Sequence, residues 1–177
     1  FAVNTISAVG DSFLIAGARE GGSSSVSPAV GWVSSKGELR DLTAELMTNW
    51  GMTERSAYNG SQFFIQGLER ENGTTQMLAL FDPGQHAVVN IYYQFPASFK
   101  LHGLAGGHGY FLLGGEYGQA YLARYVPGNA APLVLTSQLP EGALDVTAVK
   151  VAGDQNVVAG VGRDGRVFVG TLPDVAR

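Results

Sequence analysis

From end to end the chain alternates short apolar runs with glycine-bearing turns, and no stretch sustains an apolar period of 3.6 residues. The pattern is plainest over the last thirty or so residues. Val146–Val151 is apolar and β-branched, Ala152-Gly-Asp-Gln155 is a turn, and Asn156–Val161 is a second apolar run. Arg163-Asp-Gly165 is the next turn, and Arg166–Thr171 alternates polar with apolar. Apolar runs of this length between turn residues predict three antiparallel strands joined by hairpins. Leu42–Trp50 is the one brief candidate for a helical turn.

The same phrase recurs upstream. Gly10-DSFLIA-Gly17, Gly60-SQFFIQ-Gly67, Gly107-HGYFLL-Gly114 and Gly153-DQNVVA-Gly160 share a turn glycine, an apolar run and a second glycine seven residues on. Their second glycines are 50, 47 and 46 residues apart. After each comes a polar loop, an apolar strand and a turn: Ser35-Lys-Gly37, Asp82-Pro-Gly84, Val126-Pro-Gly128 and Leu172-Pro-Asp174. The first three copies add a fourth run, Glu38–Ala44, His86–Tyr93 and Pro132–Gln138. Four short strands repeating at this interval form the unit of a β-propeller blade. The predicted fold is therefore all-β: a single domain over 1–177 with four blades near 4–44, 53–94, 99–139 and 145–172, the last lacking its outer strand. Inner strands are expected at Thr5–Val9, Arg55–Asn59, Leu101–Ala105 and Thr147–Val151. The second strands (Phe13–Ile15, Phe63–Ile65, Tyr110–Leu113, Val157–Val158) are apolar without alternation, which predicts burial of both faces.

The segment NVVAGVGRDGRVFVGT resembles blades of two-component-regulator-type and sialidase-type (BNR-like) propellers. The blade pattern covers all four repeats, while the motif itself is clear in the last. The Asp-box of the sialidase type is missing, as is the Trp-Asp pair of WD40 blades.

Composition narrows the function classes. Charged residues are 15% of the chain, 25 residues are glycine, and the net charge is −4 with no basic cluster. That excludes a nucleic-acid footprint. No apolar run approaches the ~20 residues of a membrane-spanning helix. Cysteine is absent, so disulfides and thiolate metal sites are excluded. A first residue Phe1 suggests a processed chain or a segment of a longer one, and low Lys with high Ser, Thr and Gly suggests an extracytoplasmic (periplasmic or secreted) protein.

Three residue sets are candidates for binding. The inner-strand layer Thr5, Arg55, His102 and Ala148 would line a central channel, where Arg55 and His102 suit an anion or acid–base role; the alternative is ordinary polar lining. Charged residues after the second strands, among them Arg19, Glu69, Glu116 and Arg163, would crown the channel mouth as a repeated binding feature or as plain solvated charge. Trp50, between Asn49 and Gly51 in the longest inter-blade loop, would stack on a sugar, anchor a protein, or pack between blades. Trp32 belongs to the core. Asn59-Gly-Ser61 and Asn72-Gly-Thr74 match the glycosylation pattern, which arises often in chains of this composition.

No catalytic set, metal site or cofactor site is expected: His86, His102 and His108 are the only histidines, and neither phosphate-loop nor G-x-S-x-G motifs occur. The expected function is a non-enzymatic binding or assembly module holding a protein or a glycan, with a protein partner or second copy completing the ring. The alternatives are a fragment of a propeller glycosidase or lyase with a channel-centred active site, and a structural subunit of a larger complex that presents Tyr92, Tyr93 and Phe95 as an apolar patch.

Overall fold

The computed structural model of the chain describes residues 2–20, 26–46, 48–71, 75–152, 155–162 and 165–172. Among them the only regular elements are fifteen strands and three short 3-10 turns. The chain divides into two compact units, residues 1–92 and 93–177.

The first unit holds two sheets. Strands β1 (Ala2–Val9), β2 (Ser12–Glu20), β3 (Val26–Val33) and β4 (Leu39–Asp41) form one, in sequential antiparallel order. Strands β5 (Trp50–Tyr58), β6 (Phe63–Glu69), β7 (Gln76–Asp82) and β8 (Ala87–Asn90) form the other in the same order. β5 lies against β1, β2 and β3, so the inner strand of the second sheet covers the face of the first. Between them sit Leu14, Val30, Trp32, Trp50, Phe63, Ile65 and Phe81, all buried. Trp32 meets Phe63 and Phe81 edge-on at 5.5 and 5.6 Å, the core position its sequence predicts.

The second unit repeats the plan. Strands β9 (Lys100–Gly107), β10 (Tyr110–Glu116), β11 (Ala120–Tyr125) and β12 (Leu133–Val134) form a four-stranded sheet; β13 (Ala143–Ala152), β14 (Gln155–Gly162) and β15 (Val167–Leu172) form a three-stranded one. β13 lies against β9, β10 and β11. Tyr110, Leu112, Leu122, Val146 and Val158 make the core of this pair. The fold is all-β and propeller-like: four sequential meanders of the blade type, the last one strand short among the described residues. The second strands are buried on both faces, as their unbroken apolar runs require; Phe63, Phe64, Ile65, Phe111 and Leu113 are fully enclosed.

The inner strands begin earlier than predicted, most of all β5, which starts at Trp50 rather than Arg55. A second difference lies at the sheet exits. The apolar pairs Leu42/Leu46, Ile91/Phe95 and Leu135/Leu139 bracket the 3-10 turns Thr43–Glu45, Tyr92–Gln94 and Thr136–Gln138. The amide of the leading residue returns to the third strand each time: Leu42 to the Val30 carbonyl at 2.8 Å, Ile91 to Leu78 at 2.8 Å, Leu135 to Leu122 at 2.7 Å. The Thr43 and Thr136 hydroxyls accept from the Val30 and Leu122 amides, both at 3.1 Å. A two-residue turn, His108-Gly109, joins β9 to β10 with both residues at positive φ, 54° and 80°. Gly107, predicted as the turn glycine, is the last residue of β9 instead.

The recurring second glycine marks a bulge. Gly17 pairs with Val3, Gly67 with Thr53 and Gly115 with Leu101; the next inner-strand residue, Asn4, Glu54 or His102, is left without a partner. A Cβ at these glycines would overlap the carbonyls of Ala2, Met52 and Lys100 respectively. Glycine is thus required because the bulged strand presses its backbone onto this position. In the third copy the position is Gly115, one residue beyond Gly114 of the sequence alignment. In the fourth, Val146 and Thr147 together stand opposite Gly160, between the pairs Asp145↔Val161 and Ala148↔Ala159.

Candidate functional site

These bulges correct the predicted inner-strand layer. Asn4, Glu54 and His102 occupy equivalent bulge positions, while Thr5 and Arg55 match Gly103, which pairs with Gly114. Thr5, Arg55 and His102 are therefore not one layer of the sheets. Arg55 belongs to the first unit and His102 to the second, and each has its own neighbourhood.

In the second unit, a bulge residue usually turns its side chain away from the regular alternation. His102 comes to lie near Glu116, the last residue of β10, and Asp145 of β13. One ligand atom from each of the three lies within 4.8 Å of the others, the only such group of three His, Asp or Glu among the described residues. His102 Nε2 and Asp145 Oδ1 are shielded from solvent and have no hydrogen-bond partner. Lys100 Nζ donates to Glu116 Oε1 at 2.7 Å. That bond to Lys100 holds the Glu116 carboxyl below the usual carboxylate range, against the opposing effect of burial and with a smaller contribution from His102. The predicted sites His102 and Glu116, assigned to separate sets in the sequence, thus meet. Asp145 was not singled out in the sequence, where an acid at the start of β13 carries no spacing signal toward either partner.

In the first unit Arg55 is held rather than free. Its Nη1 donates to Glu54 Oε2 at 3.2 Å and to Gln66 Oε1 at 3.0 Å, and Gln66 Nε2 donates to Glu54 Oε2 at 2.8 Å. Gln66 is wholly buried. On the neighbouring inner strand, Thr5 and Ser7 share the Ser56 hydroxyl at 3.0 and 2.6 Å, and Asn4 Nδ2 donates to the Thr53 carbonyl at 2.7 Å. These polar contacts join β1 to β5 and use up donors that a ligand would need.

The remaining predicted sites fall as follows. Arg19, Glu69 and Glu116 stand at the ends of the second strands rather than in loops. Arg19 pairs with Asp41 at 2.9 Å, and Glu69 accepts from Asn49 Nδ2 at 3.2 Å. Arg163 lies outside the described residues. Trp50 is fully buried in the core of its unit, with Nε1 donating to the Met52 carbonyl at 3.1 Å, so packing is its role and no face is left for a sugar. Asn59 is also buried; its Oδ1 accepts from the Ser61 amide, the Ser61 hydroxyl and the Gln62 amide, an Asx turn in place of a glycan acceptor. Phe95 is buried against Phe99 and Tyr125, whereas Tyr92 and Tyr93 are exposed.

A further feature is the outer edge of the last sheet. β15 pairs with β14 on one side, and no strand covers its other side among the described residues. The same side of β3, β7 and β11 is taken by β4, β8 and β12. Val167 and Val169 are each 71% exposed along this edge. Phe168 between them turns inward onto the core of the unit. A concavity of about 170 Å³ opens beside the edge, walled by Pro140–Ala143 and Arg166–Phe168.

No protein-family profile matches the chain, and no match was found among curated proteins. Among solved structures it is similar to the N-terminal domain of Nup159, at 10% identity and a TM-score of 0.47, over 96% of this chain and 47% of that one. The chain spans about half the length of that structure.

Proposed function

We propose that the chain is a non-enzymatic assembly module whose last sheet accepts a fourth strand from another polypeptide. One observation carries the reading: three sheets are closed by an outer strand, while the far side of β15, studded with Val167 and Val169, is covered by no strand among the described residues. Unpaired backbone amides and carbonyls along such an edge are a template for strand addition, with main-chain bonds giving affinity and alternate side chains giving selectivity. The occupant is an extended segment with apolar side chains at alternate positions, to meet the two valines. A protein is a better fit than a glycan, because the ring suited to sugar stacking, Trp50, is buried. Arg19 and Glu69 have partners within the chain, so they favour positioning of strand ends over ligand capture.

Hydrogen exchange on the intact chain, with solution mass measured in parallel, tests the edge. Two results support it: rapid exchange at β15 in a monomer, or self-association that slows β15 and is abolished by Val167→Lys with Val169→Lys. Lysine on an exposed edge blocks pairing without touching the core. A monomer in which β15 exchanges as slowly as β14, unchanged by the lysines, would overturn the reading.

A further inference from the structure

We propose that His102, Glu116 and Asp145 bind one divalent transition-metal ion, which ties β13 to β9 and β10. The inference is independent of the open edge of β15. Three observations converge on it. The donors come from three strands that the fold holds together, and one ligand atom from each already lies within 4.8 Å of the rest. In a tetrahedral site with bonds of about 2.0–2.2 Å, donors sit roughly 3.3–3.5 Å apart. Small side-chain rotations close that difference.

The second observation is the pair of orphans. His102 Nε2 and Asp145 Oδ1 are shielded from solvent with no partner. In folded proteins most buried polar atoms are satisfied, and leaving one bare costs about 1–3 kcal/mol. An ion satisfies a ring nitrogen and a carboxylate oxygen at once. The third is the support around them. Lys100 holds one oxygen of Glu116 at 2.7 Å, as outer partners of metal-binding carboxylates do.

The donor chemistry selects the ion. One imidazole with two carboxylates suits zinc, manganese or another first-row divalent ion, and the imidazole argues against calcium and magnesium, which take oxygen ligands. Two carboxylate charges neutralise the ion, and three protein ligands leave a fourth position for water. His102 reaches the cluster because it is the bulged residue of β9, so the device that makes Gly115 obligatory also aims the ligand.

Zinc is the probe, titrated calorimetrically into the intact chain after chelator treatment, with the thermal midpoint followed in parallel. The expected result is one equivalent bound and a raised midpoint. His102→Gln and Asp145→Asn should each weaken binding more than the ~10–100-fold typical of outer-shell changes, while Lys100→Ala should fall within that range. His86→Ala and His108→Ala, at exposed turn positions, should bind zinc as the native chain does. If the ligand variants fail to fold, the ring-nitrogen resonances of His102 in the native chain decide, because a coordinated nitrogen shifts on adding zinc and the others do not. No saturable binding below millimolar zinc, equal binding in His102→Gln, or unshifted His102 resonances would each overturn the proposal.

Discussion

The indole of Trp50 fills the space beside Gly67. Its Nε1 donates to the Met52 carbonyl at 3.1 Å, and both the indole and that carbonyl lie where a Cβ on Gly67 would stand. The overlap involves backbone, so it cannot be relieved by a side chain swinging away. Gly67→Ala should therefore destabilise the protein by about 1–3 kcal/mol or more, the cost of overpacking a filled core. Gly170→Ala, where nothing lies within 4 Å of the added Cβ, should change stability by less than about 0.5 kcal/mol. Urea unfolding of both variants checks the contrast, and equal losses would mean that crowding is not what reserves the position for glycine.

Trp50→Ala removes the largest fully buried side chain of the structure. A loss of about 3–5 kcal/mol is expected, with a fall in urea midpoint and little change in slope. Any partner's affinity for the folded variant should be unchanged, since no atom of the ring reaches the surface. Reduced affinity with undiminished stability would restore the surface role that its neighbours Asn49 and Gly51 suggest.

Gln66 is buried at the centre of a polar triangle with Glu54 and Arg55. Gln66→Leu keeps the bulk but strips Glu54 and Arg55 of a partner, so a loss of about 1–3 kcal/mol is expected. Arg55→Gln should cost no more than about 1 kcal/mol, because its side chain is 39% exposed and water replaces what it loses. Equilibrium unfolding separates the two. A larger loss at Arg55 than at Gln66 would show that the ion pair, rather than the buried amide, holds the triangle.

The parts legible in the sequence are those with a local cause. Apolar runs such as Phe63–Ile65 announce strands buried on both faces, and the glycine recurrence announces the four sheets, the last of them with three strands among the described residues. Register was not legible. A bulge adds one residue without altering composition, so Thr5 and Arg55 aligned with His102 on spacing when their equivalent is Gly103. The same shift hid the cluster of His102, Glu116 and Asp145, whose members stand on three strands and meet only once the bulge at His102 is known. A further local signal lies at the sheet exits. Leu42-TAE-Leu46, Ile91-YYQ-Phe95 and Leu135-TSQ-Leu139 recur at the sheet exits, and eight residues beyond the first member stand Trp50, Phe99 and Ala143. Trp50 and Phe99 are buried, which gives Trp50 a structural role by analogy within the chain itself. At Ala143 no ring fills the place, and the concavity walled by Pro140–Ala143 lies there.

Asp41 sets an acid limb on stability. Its carboxylate accepts from the Thr43 amide at 2.9 Å through Oδ1 and from Arg19 Nη2 at 2.9 Å through Oδ2. Bonds from Thr43 first, and from Arg19 to a lesser degree, hold its pKa below the usual carboxylate value despite some burial. A folded pKa below the unfolded one means the folded state favours the ionised form. The contribution is fully present above about pH 4, near the unfolded value, and is lost as pH falls through the folded pKa. Asp41→Asn should accordingly lower stability at pH 7 and flatten its decline below pH 4. Arg19→Ala should do little at either pH, because that pair is more than half exposed on both sides. Thr43→Ala should cost more, about 1 kcal/mol, since its hydroxyl also accepts from the Val30 amide and so fastens the first sheet's exit. Thermal unfolding of the three variants between pH 2.5 and 7 provides the check. An acid limb as steep in Asp41→Asn as in the native chain would assign it to other carboxylates.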